Sequence, residues 1–335
     1  MDEYSEELMK IILQQIYDGV DSYCDVSEPV VYHYTSPEGL LNILQVGNES
    51  KKAKLWFTRY DSLNDTKEGQ DIKEYLSEYC KRKTLRGKIS ELFAKEIDAF
   101  EPYDYALVTL PYKKSTTSEK NKENENVIEI SCMSYDIYSC ETYLCCFSRE
   151  PDLLPMWNYY SKSQHYEGYN IGFRQEIFAE DQSWQKGYSI ELKRVLYTNE
   201  EKDKILDKII LPFNKLYLES IDDRAEILKI VQGKINELQF IFKKECFKHE
   251  EEIRAILRIP KEPLSNGDKF LVKYRNSHGY IVPYVEYSIW KGAIAEVFIG
   301  SLLQKELAQK NISEMLQNYG YDNVRVESSN IPIRF

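Results

Sequence analysis

The feature that most constrains this chain is an abrupt change of hydrophobic period at Ser36-Pro37. Val30, Val31, Tyr32, His33 and Tyr34 alternate as a strand does. Beyond the break, Leu40, Leu41, Ile43 and Leu44 recur at helical spacing. Ser36 is placed to cap that helix, and Pro37 fits its first position. A second short strand, Leu55-Trp56-Phe57-Thr58, follows at once. A chain that opens strand, helix, strand needs a sheet with a helix laid against it, which excludes an all-helical bundle. His33, one of only four histidines in 335 residues, stands inside the first strand.

The period changes again late in the chain. Residues 201–247 are helical in pattern and read as two long helices broken near Ser220-Ile221-Asp222-Asp223. From Glu250 to Ile259 the pattern becomes that of a strand. Ile253, Ala255, Leu257 and Ile259 form one face, and the other carries Glu250, Glu252, Arg254 and Arg258 as a wet or functional face. Between the two period changes, Tyr143 to Ser148 and Tyr169 to Phe173 read as strands, with a short helix over Leu153 to Ser161. Val127 to Met133 and Arg194 to Tyr197 read as further strands. Residues 5–18 and 67–100 read as helical, and Lys113 to Asn126 as a mobile polar loop. The C-terminal third predicts strands at Phe270–Arg275, Tyr280–Tyr287 and Ala295–Gly300. A helix through Leu316 and the strand Val324–Ser328 complete a parallel crossover. The expectation is one α+β domain over 1–335 with a central mixed or antiparallel sheet, flanking helices and a helical insertion at 201–247.

Composition narrows the function classes. With 42% hydrophobic residues the chain can bury a core. Its net charge of -11 makes tight binding to a nucleic-acid backbone an unfavourable default. Seven cysteines without a CxxC pair speak against a structural zinc site or a disulfide framework. The acidic N-terminus has no signal-peptide character, and no apolar run is long enough for a bilayer, so a cytoplasmic protein is expected. Neither GxxxxGK[ST], GxGxxG after a strand, GxSxG nor HExxH occurs, which sets aside P-loop, Rossmann, α/β-hydrolase and zincin chemistry.

Each chemistry-bearing group has two readings. His33 either holds a ligand hydroxyl or acts in proton transfer, or it is a core histidine satisfied by a backbone carbonyl. Glu250 and Glu252, about 7 Å apart on one strand face, repel each other unless a cation or ligand intervenes. They suit a site that stabilises a positive, oxocarbenium-like ribose carbon, or a solvated face neutralised by Arg254. Trp157 and Tyr160 sit three apart on a short helix, with Trp157 the core plug and Tyr160 the pocket residue. Asn64-Asp65 either touches a ligand or caps a helix. Gly300-Ser301 ahead of a helix either binds an anion or simply caps. A metal-dependent nuclease built on Glu250, Glu252 and Asp65 is a weaker option; no metal is otherwise expected.

Taken in order, these segments resemble family 2971 of bacterial domains of unknown function. They are Tyr32-His33-Tyr34-Thr35-Ser36 with Leu40 to Leu44, Leu55-Trp56-Phe57 with Leu63-Asn64-Asp65, and Cys146-Phe147-Ser148. Met156 to Tyr160 with Gly168 to Phe173, Glu250-x-Glu252-x-Arg254, Ile299-Gly300 and Ser328-x-x-Ile331-Pro332-x-Arg334 complete the set. More loosely, the His-x-Thr strand and the helix after it resemble the opening of ADP-ribosyltransferases. That resemblance implies a sheet of their type and NAD as the substrate. It implies that His33 holds the adenosine ribose, an aromatic such as Tyr160 stacks on nicotinamide, and Glu252 binds the other ribose and promotes transfer. Tyr34, Thr35, Asn64, Trp157, Glu250 and Arg254 would line the site. The acceptor would be a nucleic acid or a protein, in anti-phage defence or a toxin system, with a non-catalytic nucleotide sensor as the alternative. Two departures from the superfamily stand out. No Ser-Thr-Ser strand precedes an aromatic helix, and the helical insertion just before Glu250 is not a hallmark.

Overall fold

The computed structural model describes residues 25–47, 52–63, 71–101, 105–110, 134–160, 167–179, 187–262, 270–277, 279–301 and 304–332. Strand β1 (Val30–Thr35) breaks at Ser36, whose hydroxyl accepts from the Gly39 amide at 3.1 Å and caps helix α1 (Pro37–Ile43). Thr35 Oγ1 occupies the place where a Cβ on Gly39 would stand, so the junction closes only around glycine. Strand β2 (Lys52–Arg59) and helices α2 (Asp71–Leu85) and α3 (Glu91–Asp98) follow. The helical stretch expected over 67–100 is thus two helices, because Gly87 takes a positive φ of 64° and Ser90 caps a new start.

Next come β3 (Tyr105–Leu110), β4 (Ser134–Ser148), α4 (Leu154–Tyr160), β5 (Tyr169–Arg174), α5 (Glu176–Ala179) and β6 (Ser189–Arg194). The helical insertion is α6 (Asn199–Glu219) and α7 (Arg224–Glu237), broken where the sequence predicts and opened by a Thr198–Glu201 capping box. β7 (Glu252–Pro260), β8 (Lys273–Ser277), β9 (Tyr280–Trp290), β10 (Ile294–Ile299), α8 (Lys305–Asn318) and β11 (Arg325–Ser328) complete the order. The expected helix over 5–18, strand over 127–133 and loop over 113–126 lie outside the described residues, as do Asn64, Asp65 and Arg334.

One mixed sheet of eleven strands runs through the α+β fold, in the order β11-β10-β5-β1-β4-β2-β9-β8. β7 adds to β4 on its other edge, β6 adds to β7, and β3 pairs with the start of β4. β10 and β11 run parallel across α8, the expected crossover, while the other pairings are antiparallel. The long strand β4 is the hub. β2 meets it at Thr58↔Leu144 and Arg59↔Tyr143, while β1 meets the same edge only at Tyr32↔Ser148. Among the described residues, 145–147 have no strand partner on that edge. The sheet forks there.

Each face of the sheet carries its own core. On one, α2, α3, α6 and α7 pack over Leu144 and Ile256 through Tyr79, Phe93, Ile209, Phe213 and Val231. On the other, Val31, Phe57, Phe147, Ile253, Ala255 and Leu257 meet Leu40, Phe178, Ile312 and Leu316 of the remaining helices. Alternation along β7 therefore holds as expected. The face bearing Glu252, Arg254 and Arg258 is not wet, however. All three are less than 9% exposed, because the segment following α7 folds back over them.

Candidate functional site

Glu250 is not on the strand. A 3-10 turn over Glu245–Glu250 ends at Glu251, whose φ of 45° is left-handed, and only then does β7 begin. The turn brings Glu250 beside Glu252, and the cation between them is Lys243. Its ammonium donates to Glu250 at 2.7 Å and to Glu252 at 3.0 Å. Arg254 grips Glu252 with two bonds, from Nε at 2.9 Å and Nη2 at 3.1 Å. Its Nη1 donates to the Phe240 carbonyl at 2.6 Å. Two cations and two carboxylates are thus buried together, and their charges sum to zero.

Burial alone would push the Glu252 carboxyl upward. The charges and hydrogen bonds of Arg254 and Lys243 outweigh it and bring the carboxyl down to about 2. The Cys146 thiol donates to Glu252 as well. Arg254 twice, Lys243 and Cys146 meet the roughly four lone-pair sites of an ionised carboxylate, so Glu252 is saturated. Glu250 differs: Oε2 takes Lys243 at 2.7 Å, the one side-chain bond it makes among the described residues.

His33 approaches the same cysteine from the fork. A carbonyl can only accept, so the 2.9 Å contact with Cys146 O means that His33 Nδ1 carries the proton and Nε2 is left as an acceptor. Burial lowers the imidazole pKa, the bond to Cys146 opposes it, and the Arg275 charge adds to the lowering, so the ring is neutral. Its ring centroid lies 5.6 Å from that of Phe147. His33 and Glu252 both bond Cys146, one at its backbone and the other at its side chain, but from opposite faces of the sheet: Glu252 shares the face of Ser148 and Tyr32, while His33 shares that of Ile171 and Phe147. Two hydrogen bonds and one residue separate them, on the order of 10 Å.

The remaining predicted residues divide. Tyr160 keeps 38% of its surface. Desolvation first, then the neighbouring Cys146, Glu252 and Glu250, hold its phenol well above the ordinary value, which places it at the rim of the cluster. Trp157 is 1% exposed; its indole donates to Asp152 and its ring packs edge-on to Tyr34, with centroids 4.9 Å apart. The Tyr34 hydroxyl donates to Glu150 O and accepts from the Leu153 amide. Both rings build the wall behind α4 rather than a surface open to ligand. Thr35 serves the Gly39 junction. Asn64 lies outside the described residues.

Trp56 and Cys146 lie in two of the segments that carry the family resemblance but have no role assigned there, and Lys243 and Arg275 have no sequence signal of their own. The one cue to Lys243 was the need for a cation near two carboxylates, since it lies only seven and nine residues from them. Burial, with the Glu252 charge, keeps the Cys146 thiol pKa well above 9, so it is a hydrogen-bond donor and not a nucleophile. Brief alkylation of the folded protein at pH 8 should label the exposed Cys246 and spare the buried Cys80, Cys140 and Cys145, and also the partly exposed Cys146 because its thiol stays protonated, until denaturant is added. Peptide mass spectrometry reads this directly, and early labelling of Cys146 would contradict it.

Among the described residues no group of three or more His, Cys, Asp or Glu is arranged to hold a metal ion. Lys243 stands where the nuclease reading needs one between Glu250 and Glu252, and Asp65 lies outside the described residues. No helix among them is long and apolar enough to cross a membrane. Neither a curated protein nor a solved structure matches the chain. Residues 156–255, which hold Tyr160, Lys243, Glu250, Glu252 and Arg254, match the model of the family described as protein of unknown function (DUF2971), the family that the chain's motifs resemble.

Proposed function

We propose that the chain is an ADP-ribosyltransferase-like enzyme, with a sheet of that type, that uses NAD to modify a nucleic-acid or protein acceptor. The observation that carries this reading is that His33 and Glu252 both bond Cys146, from the two faces of β4 beside the fork, with Tyr160 on the Glu252 side. In the reaction the bond from the ribose C1′ to nicotinamide breaks and nicotinamide leaves with the electron pair. The positive charge on C1′ is then quenched by an acceptor oxygen or nitrogen, which loses a proton. His33 Nε2 accepts from a hydroxyl of the adenosine ribose. Glu252, ionised and saturated, holds Lys243 and Arg254 in place beside Glu250. Glu250, with an open oxygen, contacts the reacting ribose or takes the acceptor proton.

One observation favours a second reading. The saturation of Glu252 by four donors suits a non-catalytic nucleotide sensor equally well. Thermal unfolding of the full chain with NAD, ADP-ribose and nucleotides separates the two. A ligand at 100 times its dissociation constant is expected to stabilise the fold by about 2.7 kcal/mol. Stabilisation by NAD with release of nicotinamide supports the enzyme; stabilisation without turnover supports the sensor. No stabilisation by any of these ligands would remove both.

A further inference from the structure

Buried N–H groups almost always find an acceptor. Among the described residues, Trp56 Nε1 and Arg275 Nε are the two buried side-chain N–H groups that have none. They are neighbours. The Arg275 guanidinium carbon lies 5.8 Å from the Trp56 ring centroid, and Nη2 of Arg275 donates to Thr58 Oγ1 at 3.0 Å. Trp56 and Thr58 share one face of β2, the face of Leu144 and therefore of Cys146 and Glu252, since Thr58 pairs with Leu144. Thr58 pairs with Leu144, the residue just before the stretch 145–147 where β2 and β1 part, so its bond to Arg275 sets the guanidinium at the fork between β1 and β2.

Among the described residues, Arg275 stands without a counter-ion. No carboxylate pairs with it among the described residues. The nearby Glu286, opposite Trp56 in the β2–β9 register, is held by Lys54 at 2.8 Å and Lys273 at 2.9 Å. Desolvation lowers the Arg275 pKa without a carboxylate to offset it. A half-buried guanidinium with no anion is costly in a folded protein unless something anionic completes it. Such an uncompensated cation is unexpected in a chain with net charge -11.

We infer that the fork between β1 and β2 is a subsite for a phosphoryl oxyanion, held by Arg275, Trp56 and Thr58. Arg275 offers its unpartnered Nε–H on the same edge of the guanidinium as Nη2, whose second proton is left over from the bond to Thr58, and that edge matches two phosphate oxygens. The indole N–H of Trp56 and the hydroxyl of Thr58, which already accepts from Arg275 and so has its proton free, serve further oxygens. Donors on three residues suit a tetrahedral phosphoryl group better than a planar carboxylate. As the phosphate subsite of a dinucleotide the inference rests on the transferase reading; as an oxyanion site it rests on its own donors.

Calorimetric titration of the full chain with inorganic pyrophosphate, ADP and adenosine tests it. ADP should bind, with adenosine at least tenfold weaker. Arg275→Gln should weaken ADP at least tenfold and leave adenosine unchanged. Trp56→Phe, which keeps the ring and removes one N–H, should weaken ADP by a smaller factor. Arg275→Gln should melt no lower than wild type, because it removes an unpaired charge; a lower melting temperature would mark Arg275 as structural and overturn the subsite. Pyrophosphate binding that depends on Arg275 would show that the phosphoryl group alone suffices, whereas ADP binding without it would assign the subsite to nucleotides. ADP that fails to bind wild type, or that binds Arg275→Gln undiminished, also overturns the subsite. Arg275-dependent ADP binding without NAD turnover would uphold the subsite and count against the transferase.

Discussion

Lys243→Met is expected to destabilise the folded chain by about 3–5 kcal/mol, read from urea unfolding at pH 7. The lysine stem is only 9% exposed, and its ammonium is the single bridge between Glu250 and Glu252. Methionine fills much the same volume, so the loss is one of charge rather than packing. It leaves Glu250 without its cation and Glu252 with Arg254 alone. The effect has a pH signature. The folded carboxyl of Glu252 lies at about 2, below its ordinary 4.5, so its contribution is complete above pH 4.5 and fades as pH falls through about 2. Removing Lys243 weakens the downward pull, so acid unfolding should begin at a higher pH in the variant. Adding Glu250→Gln to Lys243→Met should restore part of the lost stability, since one uncompensated carboxylate is gone. A change below 1 kcal/mol in Lys243→Met would mean that the two carboxylates do not depend on this ammonium.

The second large effect concerns turnover. Glu250→Gln is expected to reduce NAD consumption at least about 100-fold, the scale of a lost general base, with a smaller fall in melting temperature than Glu252→Gln. The amide keeps an oxygen for Lys243 and loses the charge of the open side. Glu252→Gln should also abolish turnover but at a visible cost in stability. Its carboxylate takes two bonds from Arg254 and one from Lys243, whereas Glu250 takes one from Lys243, so the neutral amide disrupts more of the cluster at 252 than at 250. That difference separates the carboxylate that touches substrate from the one that positions it.

Much of this arrangement is written locally. The break at Ser36-Pro37, the gap between α6 and α7, the alternation of Ile253, Ala255 and Leu257, and the β10–α8–β11 crossover follow from period and capping, which depend on neighbours in the chain. The splitting of residues 67–100 at Gly87 was as local, but charge masked it. The site is legible only in part. Glu252 and His33 stand out as polar groups in strands, yet their meeting at Cys146 needs the β4–β7 register and the fork beside β1. The dryness of the β7 polar face depends on the chain folding back after α7 to deliver Lys243 and the Phe240 carbonyl. Trp56 and Arg275 lie 219 positions apart by residue number and are joined through β9, a pairing that no local pattern encodes.

The measurement that bears most directly on the central claim is nicotinamide release from NAD by the wild-type chain and by Glu250→Gln, each with mixed nucleic-acid and protein acceptors. Wild type is expected to release nicotinamide, and the variant to do so at least about 100-fold more slowly. No release by wild type, or equal release by Glu250→Gln, would contradict the claim.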